Sequence, residues 1–317
     1  MVDNRVKYGV PYKGSKNVIV QFIMKNLPKR EHFYDLFAGG CAVTQAAIMS
    51  GRYKDFHVND KDGKGMEVFF NAIEGKYLDE KRWIPREEFF RLMSTDPFVS
   101  LIWSFSNDGR TYAYSREIEE YKKAWFMVLM YDDYTECERL GIDLSPLKSI
   151  SDPRERYLTS RAIFIGMIEE KPEIYEHMQN MDTYLRIERL NIIHNIVSVD
   201  MNKVHRTKLS YDEVEILPNS LIYLDPPYIN TSGYADDFKK KNAFDYEKFY
   251  QWIEAQTEPV FISEYCMPED RFVCVDSCMR NEGMCATKNE SKEEKLYVPK
   301  GQLDMIRDLG KCGGLLF

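Results

Sequence analysis

The sequence has no apolar run of membrane-spanning length: its longest, from Ala124 to Tyr131, falls far short of the roughly 20 residues a bilayer helix needs. Met1-Val2-Asp3-Asn4-Arg5 carries charge with no apolar segment behind it, so no secretory signal is expected and the expected location is the cytoplasm. There is no CxxC pair. The seven cysteines are scattered, and even the loose group Cys266, Cys274, Cys278 and Cys285 lacks metal-ligand spacing, which favours reduced thiols over a zinc site. A GxGxxG fingerprint is missing too, which disfavours a nicotinamide dehydrogenase. Nor is there a basic excess. With a net charge of −8, any nucleic-acid partner must meet a local positive face, because phosphate neutralisation dominates such affinity. Candidate faces are Lys13, Lys16, Lys25, Lys29 and Arg30; Arg82, Arg86 and Arg91; and Lys239, Lys240 and Lys241.

What is present is a strand-and-helix alternation in a chain of 317 residues, long enough for an α/β core with one sizeable insertion. Val18, Ile19, Phe22, Ile23 and Leu27 recur at helical spacing behind the loop YKGSK, and Pro28 ends the pattern. A strand-like run, Glu31 to Phe37, leads through Ala38-Gly39-Gly40 into a helix from Cys41 to Met49 closed by Gly51. A second strand ends at Asn59-Asp60, and a helix follows from Met66 to Ile73. Further strands are expected at Ile196–Val199, Leu221–Leu224, Pro259–Ser263, near Phe272–Val275 and near Lys295–Val298, with a helix at Tyr246–Ala255. Residues 80–195 have long charged, aromatic-rich helical patterns and are expected to form an inserted, mostly helical domain, with 1–79 and 196–317 as the catalytic body. Within the insertion, Leu101–Phe105 and Thr111–Tyr114, joined by Asn107-Asp108-Gly109-Arg110, are expected to pair as a basic, aromatic hairpin.

Asp225-Pro226-Pro227-Tyr228 follows the apolar run Leu221–Leu224 and so lies where a buried strand ends. Neither proline has an N–H, so the turn is stiff and offers carbonyl oxygens without competing donors. A carboxylate plus a carbonyl can hold both protons of an exocyclic amine, and Tyr228 adds a ring against which a base can stack. In doubly wound sheets ligands bind beyond the carboxyl ends of the strands, so this turn should converge with Asp35-Leu36-Phe37-Ala38-Gly39-Gly40 and Asp60. The glycine turn lets a cofactor approach the backbone, and Asp60 is placed to accept from ribose hydroxyls. Singly, each residue has an ordinary alternative: a strand-ending turn for Asp225-Pro226-Pro227, a helix cap for Asp60, solvation for Lys16, core for Phe37.

In that order, YKGSK, DLFAGG, ND, a long insertion, DPPY and VFISEY, the chain resembles the Dam-like, D12 class of adenine-specific N6 DNA methyltransferases over nearly its whole length. The resemblance implies a Rossmann-like S-adenosylmethionine-dependent methyltransferase sheet with an inserted target-recognition domain. By it, Tyr12 and Lys16 fall on an N-terminal cofactor-binding pair, and Asp35, Phe37, Ala38, Gly39 and Gly40 on the S-adenosylmethionine loop. Asp60 falls on the ribose acid, Asp225 on the catalytic acid that also touches cofactor, and Pro226, Pro227 and Tyr228 on the rest of that motif. Asp35-Leu36-Phe37 stands where the family often has Glu-Pro-Phe, and Cys41 where it often has glycine. Asp212 is a loose match to a contact near the cofactor's adenine.

The expected substrate is adenine flipped from duplex DNA. Asp225, where enzymes acting on glutamine or guanine usually have Asn, favours adenine. Arg110, Tyr112, Tyr114 and Arg116 offer base-edge donors and aromatic wedges, and Lys239 and Lys240 a grip on phosphates. An RNA or other N-methyltransferase, or a catalytically silent DNA-binding relative, are the rival readings. A cognate restriction endonuclease is a further conceivable partner, and the oligomeric state is open.

Overall fold

The computed structural model describes residues 7–168, 182–228, 244–281 and 291–313. The chain clusters into two units. One draws on the chain up to Gly9, on Gly14–Phe69 and on the chain from Val197 onward; the other on Val10–Lys13 and Phe70–Ile196. The expected domain boundaries fall ten residues later on the first side and one residue earlier on the second.

In chain order, a 3-10 turn at Lys16–Val18 precedes α1 (Val20–Asn26), β1 (His32–Asp35), α2 (Ala42–Ser50), β2 (Asp55–Asn59) and α3 (Lys64–Ile73). Then come α4 (Arg86–Leu92), α5 (Pro97–Ile102), α6 (Arg116–Tyr131), α7 (Thr135–Arg139), α8 (Pro153–Ile168) and α9 (Thr183–Ile196). The chain returns as β3 (Val204–Thr207), β4 (Ser220–Leu224), α10 (Tyr246–Glu254), β5 (Val260–Glu264), β6 (Phe272–Asn281), β7 (Ser291–Pro299) and α11 (Leu303–Gly313).

The first unit holds a seven-stranded sheet in the order β3-β2-β1-β4-β5-β7-β6. β7 runs antiparallel to both neighbours, and every other pairing is parallel. β4 and β5 are buried at every position, which is why Leu221–Leu224 and Val260–Ile262 within them read as unbroken apolar runs. β1 pairs with β2 on one side and β4 on the other, so the chain's order reverses between β1 and β4. This is the topological switch point where such sheets open a crevice at their carboxyl ends.

Two strand expectations are overturned. The segment Ile196–Val199 is not a strand: α9, whose buried face carries Ile187, Leu190 and Ile193, runs on through the exposed Ile196. The strand is β3, a few residues later; it lies at the sheet edge with His205 and Arg206 exposed, so it has no apolar signature. The second correction concerns the hairpin. Asp96 caps α5, accepting from Phe98 N–H at 2.9 Å and Val99 N–H at 3.2 Å with Pro97 in the first turn, so Leu101 and Ile102 are helical. A 3-10 turn at Phe105–Asn107 follows, and only the isolated bridge Ser104–Tyr112 joins the two limbs.

Tyr112 and Tyr114 therefore do not project as wedges. Each is 3 % exposed; the Tyr112 hydroxyl donates to Ile84 O at 2.8 Å, and Tyr114 shares a 2.8 Å hydrogen bond with Thr183. They belong to an aromatic core with Trp83, Trp103, Phe89 and Phe126. Arg110 and Arg116 are exposed, as is Phe105. Arg82, Arg86 and Arg91 do not form a free positive face, because each pairs with a carboxylate, Glu80, Glu119 and Glu88 respectively. Among its described residues this second unit is helices and turns with no strand. Among the described residues of the whole chain, no helix is long and apolar enough to cross a membrane, and no group of three His, Cys, Asp or Glu is placed to hold a metal ion.

Candidate active site

The glycine turn after β1 is clamped from β2. Ala38 N–H donates to Asn59 O at 3.0 Å and Gly39 N–H to Asp60 Oδ2 at 2.8 Å, while the Asn59 amide donates to Leu36 O at 3.1 Å. Asn59, 1 % exposed, also accepts from Thr207 and from Leu209 N–H, so one amide fixes the ends of β1, β2 and β3. Asp60 Oδ1 accepts from Asp62 and Gly63 N–H at 3.0 and 2.8 Å, which makes it the anchor of the loop into α3 as well as of the glycine turn. Gly39 and Cys41 both have positive φ, and α2 starts directly behind them. From the other side Gly9 packs on the turn: its N–H donates to the buried Gln45 Oε1 at 2.6 Å.

Asp35, at the end of β1, is 2 % exposed. One carboxylate oxygen accepts from Thr44 Oγ1 at 2.6 Å; the other is buried with no partner. Burial, with repulsion from Asp225 and Asp60, pushes its carboxyl up to about 7. Phe37 lies half-buried against Tyr211, Phe244 and Phe249, with ring centroids 5.7 to 6.0 Å apart.

Across the switch point stands the Asp225 turn. Pro226 is buried, and the Tyr246 hydroxyl at the start of α10 donates to Pro227 O at 2.5 Å, holding the turn's shape. The Lys16 ammonium, 6 % exposed, is 2.8 Å from Asp225 Oδ1, 3.3 Å from Glu294 Oε1 and 4.4 Å above the centre of the Tyr228 ring. Tyr228 donates its hydroxyl to Glu294 and meets Tyr265 edge-on at 4.6 Å. Burial pushes the Asp225 carboxyl up to about 6 even though Lys16 opposes the shift. Glu264, 2 % exposed at the end of β5, accepts from Tyr265 N–H at 2.8 Å and has a second oxygen buried without a partner; burial pushes it up to about 8.

The structure thus brings Asp35, Phe37, Ala38, Gly39, Gly40, Asp60 and the Asp225–Tyr228 turn to adjoining strand ends of one unit. It places Lys16 on the Asp225 side of that crevice, buried rather than on a surface patch. Tyr12 lies on Val10–Lys13, in the second unit. Asp212 pairs with Lys248 at 2.6 Å, and that bond holds its carboxyl below the usual range. Lys239, Lys240 and Lys241 lie outside the described residues, as does Cys285. Neither Glu264, which stands within VFISEY, nor Glu294 is given a role by the sequence alone. Glu264 carried a usable signal, an acid at the end of a strand that opens with the apolar run Val260–Ile262.

Glu264 has a measurable consequence. Its folded value of about 8 is above the ordinary 4.5, so between those pH values the folded protein holds a proton that the unfolded chain has lost. Stability from this group is fully present below pH 4.5 and declines as pH rises towards 8. Glu264→Gln is expected to melt with the wild type at pH 4.5 and roughly 4 °C above it at pH 8.5. Parallel melting curves at every pH would refute the assignment.

A family model described as D12 class N6 adenine-specific DNA methyltransferase matches residues 12–257. Comparison with curated proteins found no match. Glu264 and Glu294 fall beyond the matched residues.

Proposed function

The chain belongs to the D12 class of N6 adenine-specific DNA methyltransferases, and on that premise we propose that it methylates an adenine flipped out of duplex DNA, with S-adenosylmethionine as donor and Asp225 holding the acceptor amine. The observation that carries this reading is the pairing of a partly buried Asp225 with a stiffened proline turn, directly across the β1/β4 switch point from a clamped glycine turn. The donor, when bound, supplies an electrophilic methyl group on a sulfonium. The crevice suits such a cation: Asp35 has a buried oxygen without a partner, and carboxylates outnumber Lys16. Asp35, Phe37, Ala38, Gly39, Gly40 and Asp60 would hold it. Asp60 can accept a ribose hydroxyl only in addition to the three backbone donors it already serves.

The N6 lone pair of adenine is delocalised into its ring, so the amine is a poor nucleophile. Hydrogen bonds from its two protons to the Asp225 carboxylate and the Pro226 carbonyl favour a pyramidal nitrogen with a localised lone pair, an interaction stronger in the transition state than in the ground state. Asp225 is also the base nearest to the proton that N6 loses once alkylated. Tyr228 is 8 % exposed and edge-on to Tyr265, so it walls the base site and any stacking uses the limited ring surface left open. Extrusion of the base follows from geometry, since N6 is paired within a duplex.

We assign site reading to the helical unit, through the exposed Arg110 and Arg116. Tyr112 is withdrawn from this role because it is core. The test is methyl transfer from labelled S-adenosylmethionine to unmethylated duplex DNA, with nucleoside mass analysis and sequencing of the modified sites. The expected product is N6-methyladenine at defined sites, with Arg110→Ala relaxing site choice while leaving cofactor affinity in place. Label found in RNA but not DNA would overturn the substrate.

A further inference from the structure

Three carboxylates, the buried Glu264 and Glu294 and the partly buried Asp225, gather around one ammonium, Lys16. The Glu264 carboxyl, pushed up by burial, holds its proton at neutral pH, so Lys16 is shared between Asp225 and Glu294. Glu294 is on β7, which enters the sheet antiparallel and so delivers the early part of that strand to the edge where the parallel strands end. Its side chain is fully buried, and its Oε1 takes both the Lys16 ammonium and the Tyr228 hydroxyl while Oε2 has no partner.

We propose that Glu294 is a positioning residue for methyl transfer: by drawing Lys16 partly away from Asp225 and by anchoring Tyr228, it keeps the Asp225 carboxylate a strong acceptor for the N6 amine. The inference rests on the role given to Asp225 above. An ammonium paired with Asp225 alone would neutralise it and compete with the incoming amine for its lone pairs. A second carboxylate on the same ammonium divides that charge. Both contacts are short, so the two carboxylate oxygens lie within about 6 Å of each other, close enough for strong repulsion in a buried site. Repulsion from Glu294 accordingly raises the Asp225 carboxyl, against the lowering effect of Lys16. The ionisable groups facing Asp225 are Lys16 from the turn before α1, Asp35 from β1, Tyr223 on β4, Tyr228, Glu264 from β5 and Glu294 from β7.

The experiment compares full-length wild type and Glu294→Gln in single-turnover methylation of duplex DNA across pH 5–9. Wild type is expected to gain activity through an acidic limb near pH 6, where Asp225 ionises. In Glu294→Gln the limb moves roughly one pH unit lower and the plateau falls roughly tenfold. A packing role for Glu294 would lower the plateau without moving the limb, and an unmoved limb overturns the inference. The same proteins are titrated by carboxyl carbon NMR, with the Asp225 signal assigned by its loss in Asp225→Asn. A lower Asp225 midpoint in Glu294→Gln supports the inference and an equal one overturns it, whether or not DNA is methylated; failure of wild type on DNA counts against the substrate reading alone. If Glu294→Gln does not fold, Glu294→Asp, which withdraws the charge by one methylene, is expected to move limb and midpoint the same way by less.

Discussion

Replacing Asp225 with alanine is expected to cut methyl transfer by at least roughly 10²–10³-fold while moving the melting temperature by no more than roughly 4 °C. The first half follows from the chemistry: without the carboxylate, nothing in the turn accepts both the hydrogen bond and the departing proton of N6. The second half follows from burial. Asp225 is held with its carboxyl raised to about 6, so its ionised form is disfavoured where it stands, and removing it lifts a desolvation cost. Nor does the change orphan Lys16, which keeps Glu294 at 3.3 Å. Asp225→Asn should be nearly as inactive, because an amide turns one acceptor into a donor facing an amine. Single-turnover transfer and thermal unfolding on the same preparations decide it. Wild-type rates in Asp225→Ala would remove Asp225 from the chemistry. A collapse of the melting temperature would instead make the residue structural.

The residues that could be read directly were those whose burial is two-sided or whose backbone chemistry is special. Leu221–Leu224 and Val260–Ile262 are apolar throughout because β4 and β5 are covered on both faces. Gly39, at positive φ, and the paired prolines, which lack an N–H, mark turns by their backbone chemistry. What escaped was decided by tertiary context. β3 is a polar edge strand, and nothing in Val204-His205-Arg206-Thr207 distinguishes it from a loop until it pairs with β2. Leu101-Ile102-Trp103 suits a strand or a buried helix equally; the deciding signal, Asp96-Pro97 as a helix start, lay just upstream. Lys16 could be read as a cofactor-binding lysine or as part of a solvated basic cluster, and only the fold sets it between two carboxylates. Glu294 is one of two adjacent glutamates, and its inward side follows from the antiparallel register of β7 with β6 and β5.

The N-terminal loop supplies the second large effect. Gly9→Ala is expected to cost the first unit roughly 3–4 kcal/mol, from left-handed backbone strain plus a forced shift of packed backbone. Gly9 has φ +68°, and a Cβ there would collide with Gly40 O and lie 2.6 Å from Ala42 N and 2.8 Å from Ala42 Cα. All three are backbone atoms, so no side-chain rotation relieves the clash; either the loop lifts, breaking the Gly9–Gln45 hydrogen bond, or the glycine turn and the start of α2 move. Gln45 is fully buried, so a lifted loop leaves its carbonyl without a donor. Gly14 is the internal control. It has φ +80° and open space, with nothing within 4 Å of where a Cβ would stand, so Gly14→Ala carries only the backbone cost of roughly 1 kcal/mol. The difference between the two variants in chemical denaturation isolates the close approach of the loop to the turn. Because the turn is the surface on which the cofactor is proposed to rest, Gly9→Ala should also weaken S-adenosylmethionine binding in calorimetry, whereas Gly14→Ala should leave it within about twofold. Equal losses of stability in the two variants would mean that the loop can lift away without disturbing the turn, and would separate the N-terminal loop from the cofactor site.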